Sequence, residues 1–302
     1  MRVAITGGTG FIGRHLARDL GERGHQVVVI ARGLDVRDTA IRTARNIAFS
    51  QLDVTDTDGL RQALAGCEAV AHCAGSSRED RTQSYQRVHV EGARSLISAA
   101  RQSGIHKVVL VSFLRARPGI RSRYHTTKWE GEQIVRESGL DFTVLKAGLV
   151  YGRGDHLLDR LGRLLRRLPV FATVGLRERT VRLVAVEDLV SVIRAALVEG
   201  ELSRQTVAVV GPEELAFSTA VRRIAIVLNR KFLIILPLPV FAQRLLAWFS
   251  ETFMPTPFVS GSQIEMLADG ISEPLPDSES LPDRLAPKAT FTEAQIRKGL
   301  PA

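Results

Sequence analysis

Short apolar runs alternate with amphipathic stretches along the first half of the chain. Residues 2–6 form an apolar run that ends in glycines, and Ile12, Leu16 and Leu20 follow at helical spacing. Residues 27–30 are a continuous β-branched run, the signature of a strand buried on both faces. Residues 47–52, 69–73, 107–112 and 142–147 read as further strands. Residues 58–64 and 90–103, and a stretch from near Tyr124 to 138, read as the helices between them. Strands and helices alternating at this spacing imply βαβ units, and hence a parallel sheet covered on both faces.

The pattern changes after Tyr151. Residues 155–168 are strongly amphipathic: Leu157, Leu158, Leu161, Leu164, Leu165 and Leu168 share one stripe, and Arg160, Arg163, Arg166 and Arg167 lie away from it. Residues 181–186 and 206–210 read as strands around a helix at 187–197, and 215–228 as another helix. From Pro255 the chain is rich in Pro, Ser and Asp, which predicts loops with short helices. The expected architecture is α/β: a Rossmann-type doubly wound parallel sheet with a smaller C-terminal substrate lobe. The dinucleotide-binding domain would span 1–151, with 181–210 returning to its sheet, and 152–180 and 211–302 would form the smaller lobe.

Composition narrows the function. At 302 residues, 45% hydrophobic and 24% charged, the chain has ordinary globular proportions. Two cysteines, Cys67 and Cys73, make no disulfide framework, so a reducing, cytoplasmic setting is expected. The N-terminal apolar run leads straight into a glycine turn and lacks a secretory cleavage pattern. The longest apolar stretch, 232–249, is interrupted by Pro237, Pro239, Gln243 and Arg244, which argues against a transmembrane span. The seven histidines are scattered, so no metal is expected. A net charge of +9 favours anionic partners, but no zinc-finger spacing or RNA-binding aromatic pattern supports nucleic acid. The basic helix 155–168, with Phe232, Phe241, Trp248, Phe249 and Phe253, raises peripheral contact with the inner face of a membrane. The alternative is that these residues form the core of the substrate lobe.

The chemistry begins at Gly7-Gly8-Thr9-Gly10-Phe11-Ile12-Gly13, between a strand and a helix. Glycines here permit a tight turn and close approach of backbone to a pyrophosphate, which the helix N-terminus then binds. Gly7, Gly10, Phe11, Ile12 and Gly13 are therefore cofactor-contact candidates. Cofactor choice is read at the end of the second strand, where an acidic residue selects NAD(H) and an arginine selects NADP(H). Arg32 stands there, arguing for NADP(H), with Arg14 and Arg37 in support. Asp35 keeps NAD(H) open. Asp53 and Val54, after the third strand, are placed to face the adenine.

Tyr124 and Lys128 are spaced i,i+4, which sets both on one face of a helix. A nearby ammonium would lower the phenol from about 10 and suit it to proton exchange with a carbonyl or alcohol. Ser112, at a strand end upstream, would hold the substrate oxygen.

The glycine turn, Asp53-Val54, Ala71-His72-Cys73-Ala74-Gly75, Ser112 and the Tyr124/Lys128 pair, in this order, resemble the short-chain dehydrogenase/reductase superfamily. Length and the C-terminal segment point to its extended and atypical, epimerase-like branches. The stretches 88–93, 122–132 and 211–214 most resemble bacterial proteins similar to the NADPH-binding accessory subunit of respiratory complex I. The resemblance implies that Gly7, Gly10 and Gly13 cradle the pyrophosphate, that Tyr124 is the general acid/base, that Lys128 binds the nicotinamide ribose and that Ser112 orients the substrate. Ala74 and Gly75 join the cofactor contacts. Two departures stand out: His89 replaces the family's common Asn, and Lys146-Ala147 replaces the usual Arg-Pro. Two functions follow. One is an NADP(H)-dependent oxidoreductase acting on an unidentified carbonyl or alcohol. The other is a non-catalytic, NADPH-holding accessory or assembly subunit bound to a protein complex.

Overall fold

The computed structural model describes residues 1–34, 41, 43–79, 83–175, 178–239 and 272–300. Asp35, Arg37, Phe241, Trp248, Phe249 and Phe253, and residues 255–271, 301 and 302 of the tail expected to form loops with short helices, lie outside that set. In chain order the first elements are β1 (Arg2–Thr6), α1 (Phe11–Glu22), β2 (Gln26–Ala31), β3 (Ile47–Gln51), α2 (Thr57–Ala63) and β4 (Ala69–His72). A π-helical segment (Gln86–Glu91) leads into α3 (Gly92–Gln102), then β5 (Lys107–Phe113), α4 (Arg123–Arg136) and β6 (Asp141–Ala147). The remainder comprises β7 (Val150–Tyr151), α5 (His156–Arg167), β8 (Val170–Val174), β9 (Thr180–Val181), β10 (Val184–Ala185), α6 (Val186–Val198), β11 (Gln205–Val209), β12 (Leu215–Ala216), α7 (Phe217–Val227), β13 (Ile234–Leu238), β14 (Glu279–Ser280) and α8 (Glu293–Gly299).

The main sheet has eight strands in the order β14-β11-β6-β5-β4-β1-β2-β3. Every pairing from β3 through β6 is parallel. The central strands β4 and β5 are buried at every position, which is why their sequences read as unbroken apolar runs. One face packs Val28, Ile30, Val70, Val108 and Val144 against Leu60, Leu64, Leu96 and Val135 from the helices. Strand order reverses between β1 and β4. In open α/β sheets the crevice outside the carboxyl ends at such a point is the ligand site.

The chain divides into two compact units. Unit 1 comprises Met1–Ala147, Leu189–Ala208 and Pro276–Ala286, and unit 2 comprises Gly148–Asp188, Val209–Leu275 and Pro287–Ala302. The expectation that 181–186 rejoins the main sheet is not met. Val184 and Ala185 pair with Val150 and Tyr151 in a separate two-stranded sheet, and Thr180 and Val181 pair antiparallel with Leu215 and Ala216. Of the expected returning strands, only β11 joins the main sheet, and β14 extends its edge.

Unit 2 has its own core. Leu158, Leu161 and Leu165 of α5 are buried there with Phe171, Phe217, Ile224 and Phe291, and Leu157 and Leu164 pack partly against them. The leucine stripe of 155–168 is therefore core, apart from exposed Leu168, and not a membrane face. Asp155 caps this helix, accepting from Leu158 N–H at 2.5 Å.

Candidate active site

The site lies in unit 1, at the carboxyl ends of β1, β4 and β5. Gly7 has φ +67°, and a Cβ there would come within 2.6 Å of Ala74 Cα and N. Any side chain at Gly7 would thus collide with the backbone that leaves β4. A Cβ on Gly13 would lie 2.3 Å from Gly7 O and 2.6 Å from Gly8 Cα, so helix and turn are in backbone contact. Gly7 N–H donates to Ile30 O at 2.8 Å and Gly10 N–H to Gly7 O at 2.9 Å, closing the turn. Gly10 is the N-cap of α1, no side chain caps that helix, and its first turn holds no acidic residue. The helix itself thus offers its first-turn N–H groups no side-chain carboxylate, and the macrodipole favours an anion there. Phe11 and Ile12 open the helix, and Phe11 packs edge-on against His15 at 5.6 Å. Arg14 Nη2 donates to Thr9 O at 2.8 Å, drawing a cation onto the turn. These features fit a dinucleotide pyrophosphate.

Arg32, exposed just past β2, faces the side-chain carboxamide of Gln83. Asp53 Oδ1 accepts from the N–H and hydroxyl of Thr55 at 3.0 and 2.8 Å and lies 3.5 Å from Arg87 Nη2. Burial raises this carboxyl, but the Thr55 bonds and the Arg87 charge outweigh it and hold it below the usual range. Asp53 thus shapes its own loop. Val54 packs under α3, where a Cβ on Gly92 would meet it at 2.8 Å.

Cys73-Ala74-Gly75 joins the turn to the helix α4. A Cβ on Gly75 would sit 3.1 Å from Lys128 Nζ and 3.9 Å from His89 Nε2. Lys128 Nζ also donates to Val111 O at 3.3 Å. Burial pulls this ammonium down to about 8, against the opposing pull of Glu132 and Cys73. Burial likewise pushes the Cys73 thiol up to about 12 and holds His72 down to about 3, so the imidazole stays neutral on Thr6 Oγ1 at 2.6 Å.

Tyr124 lies on the same face of α4, one turn before Lys128, and is 9% exposed. The rings of Tyr85, His89 and Phe113 each stand edge-on to it at 5.5 Å, and His125 at 5.7 Å. The expectation that Lys128 lowers this phenol is not met. Burial, reinforced by Tyr85, raises it. His89 falls in the π-helical segment, a local widening often found at functional sites. Its Nε2 accepts from Ser76 N–H at 3.2 Å, which assigns the ring proton to Nδ1, donated to Thr127 Oγ1 at 3.0 Å. Burial lowers this imidazole, and the nearby Lys128 charge adds to the effect.

Ser112 is the penultimate residue of β5, which runs one residue further than expected, and its hydroxyl donates to Glu132 Oε1 at 2.5 Å. Glu132 is fully buried and bonds Arg136 at 2.8 Å. It lies 3.6 Å from Lys146 Nζ, which also reaches Ala116 O at 3.0 Å and the Asp277 carboxylate at 2.9 Å.

A family model described as NAD(P)H-binding matches residues 7–156. A ceramide reductase from Caulobacter vibrioides is 31% identical over 297 residues, 96% of this chain and 92% of that protein. The chain belongs to the NAD(P)H-binding extended short-chain dehydrogenase/reductase family, epimerase-like branch. The mouse mitochondrial NADH dehydrogenase [ubiquinone] 1 alpha subcomplex subunit 9 is 28% identical over 259 residues, 84% of this chain and 67% of that one. Among solved structures, an Escherichia coli NADPH-dependent quinone oxidoreductase with bound NADPH shares the fold at a TM-score of 0.76, with 19% identity, over 98% of this chain and 99% of that one.

In this member of the family, sequence reasoning located the glycine turn, Tyr124 and Lys128. It missed Glu132, Tyr85, Thr127 and Asp277. Glu132 had a signal, since Lys128, Glu132 and Arg136 recur at i,i+4 with alternating charge. Tyr85 and Asp277 had none, because each reaches the site only through tertiary folding.

Proposed function

We propose that the chain is an NADPH-dependent reductase of a carbonyl carried on a ceramide-type lipid. The observation that carries the reductase reading is the continuous contact from Gly7 through Ala74 and Gly75 to Lys128, with Tyr124 one turn away. It links a pyrophosphate turn directly to an acid/base pair. Support for a lipid substrate comes from the full-length similarity to a protein named for ceramide reduction.

In this reading the α1 N-terminus and the glycine turn hold the pyrophosphate, and Lys128 binds the nicotinamide ribose. Arg32 takes the 2′-phosphate, which sets NADPH above NADH. The cofactor would supply a hydride to the carbonyl carbon. Tyr124 supplies the proton to the developing alkoxide, leaving an alcohol. A phenol raised by burial is fully protonated at neutral pH, as an acid in the reductive direction requires. His89, with both nitrogens engaged, holds the Ser76 loop against α4 rather than passing a proton onward.

A second reading, a cofactor-holding subunit, is favoured by the ring enclosure of Tyr124 and the turn of Ser112 toward Glu132. The test is to identify the nucleotide that co-purifies and then follow its oxidation with keto-ceramide lipids and simpler ketones. Tyr124→Phe is expected to lower kcat by about 100-fold while NADPH affinity is retained. Persistent unoxidised NADPH against every carbonyl offered would establish the subunit reading.

A further inference from the structure

Among the described residues the exposed large apolar side chains are unevenly placed. Leu168, Val170, Ile226, Phe232, Ile234 and Leu236 all belong to unit 2, and Met1 is the remaining one. Five of the six unit 2 residues lie in or directly before β8 and β13, which form a parallel two-stranded ribbon with Ile234 opposite Val170 and Leu236 opposite Ala172. The ribbon is closed at both ends by Ile234 N–H on Pro169 O and Gly175 N–H on Leu238 O, each 2.8 Å.

Strand parity sorts its side chains. Phe171 and Thr173 are buried, and Leu233 packs against the core of unit 2, so one face looks inward. Val170, Ile234 and Leu236 point to the opposite face, and Leu168 and Phe232 continue the same alternation just upstream. Phe232 is 65% exposed and Leu168 48%. This outer face is apolar over both strands.

Charge says what it meets. Exposed Arg163, Arg166 and Arg167 precede β8, and exposed Arg230 and Lys231 precede β13. Residues 217–239 contain no acidic side chain, and residues 156–174 contain only Asp159. An apolar strip whose own chain segments are rich in exposed cations and nearly free of acidic residues matches the interface of an anionic bilayer, where side chains enter the acyl boundary and cations stay at the headgroups.

We propose that the outer face of the β8–β13 ribbon docks on an anionic membrane surface, with Leu168, Val170, Phe232, Ile234 and Leu236 entering the interface and Arg163, Arg167, Arg230 and Lys231 on the headgroups. The face differs from the buried stripe of α5. The proposal does not depend on the reductase reading, and its test has no activity readout.

Cosedimentation of the full chain with vesicles of phosphatidylglycerol and phosphatidylcholine, against phosphatidylcholine alone, is the experiment. The chain is expected to pellet with the mixed vesicles at low salt and progressively less as salt is added. The double variant Phe232→Ser/Leu236→Ser loses pelleting. Arg167→Gln/Lys231→Gln lowers partitioning roughly 30-fold, whereas Arg61→Gln leaves it unchanged. Melting temperatures verify that each variant is folded. No pelleting at low salt, or pelleting that survives both double variants, overturns the proposal. A concentration-dependent dimer in sedimentation velocity, dissolved by Phe232→Ser/Leu236→Ser, would give the face to a second copy and overturn it equally.

Discussion

Ser112 donates its single hydroxyl hydrogen to Glu132, 2.5 Å away and fully buried on the neighbouring helix. Glu132 gathers Ser112, Arg136 and Lys146 around one carboxylate, and Lys146 extends the network to Asp277. Burial holds the Glu132 carboxyl above the usual carboxylate range, against the downward pull of these three partners. Ser112 therefore serves a buried carboxyl group before it can serve a substrate. Ser112→Ala removes a donor from that carboxylate and is expected to cost about 1–3 kcal/mol of stability. Turnover should fall far less than in Tyr124→Phe. Urea denaturation alongside steady-state kinetics separates the two effects. A kcat loss equal to that of Tyr124→Phe at unchanged stability would return Ser112 to orienting substrate.

Arg32 stands exposed at the end of β2, opposite Gln83. A guanidinium there discriminates between cofactors only through the 2′-phosphate. Arg32→Ala should weaken NADPH binding roughly 10- to 150-fold, the range for loss of a charge-assisted bond. NADH binding should be nearly unchanged. Calorimetric titration of both cofactors against both proteins decides it, and equal losses would remove Arg32 from cofactor selection.

Lys128 carries a pH dependence whose sign follows from its burial. Its value of about 8 in the folded chain lies below the ordinary lysine value of 10.5. Below pH 8 both states are protonated, and folding bears the full penalty of the enclosed ammonium. Between about 8 and 10.5 the unfolded chain binds a proton that the folded chain does not, so stability rises with pH through that window. Lys128→Met in the cofactor-free protein should therefore raise the melting temperature at pH 7, with the advantage shrinking above pH 8 and vanishing above about 10.5. Thermal melts of both proteins across that range are the check. A variant less stable at pH 7 would show that the ammonium is better solvated than its surroundings indicate.

Much of unit 1 was legible in the chain. Residues 27–30 are β-branched throughout because β2 is covered on both faces, and the observed strand adds one residue at each end. The glycine turn was legible because backbone contact at Gly7 and Gly13 excludes every other residue type, an exclusion visible in the sequence itself. The Tyr124–Lys128 pair was legible because helical spacing alone brings i and i+4 together.

Other features were decided by the tertiary structure. Whether the phenol of Tyr124 rises or falls depends on how many rings enclose it, and Tyr85 and Phe113 come from other elements. The partner of Ser112 depends on how closely α4 approaches β5. The leucine stripe of α5 looks the same in sequence whether it faces a core or a bilayer, and burial against Phe171 and Phe291 settles that it faces a core. The ribbon of β8 and β13 escaped notice because its strands pair across some sixty residues, and one of them carries Pro237. Local sequence thus determined which segments are strands or helices and where backbone must come close, since those depend on neighbours within a turn or two. Side-chain protonation, hydrogen-bond partners and the choice between inner and outer apolar faces depend on groups distant in the chain, and only the folded structure brings those together.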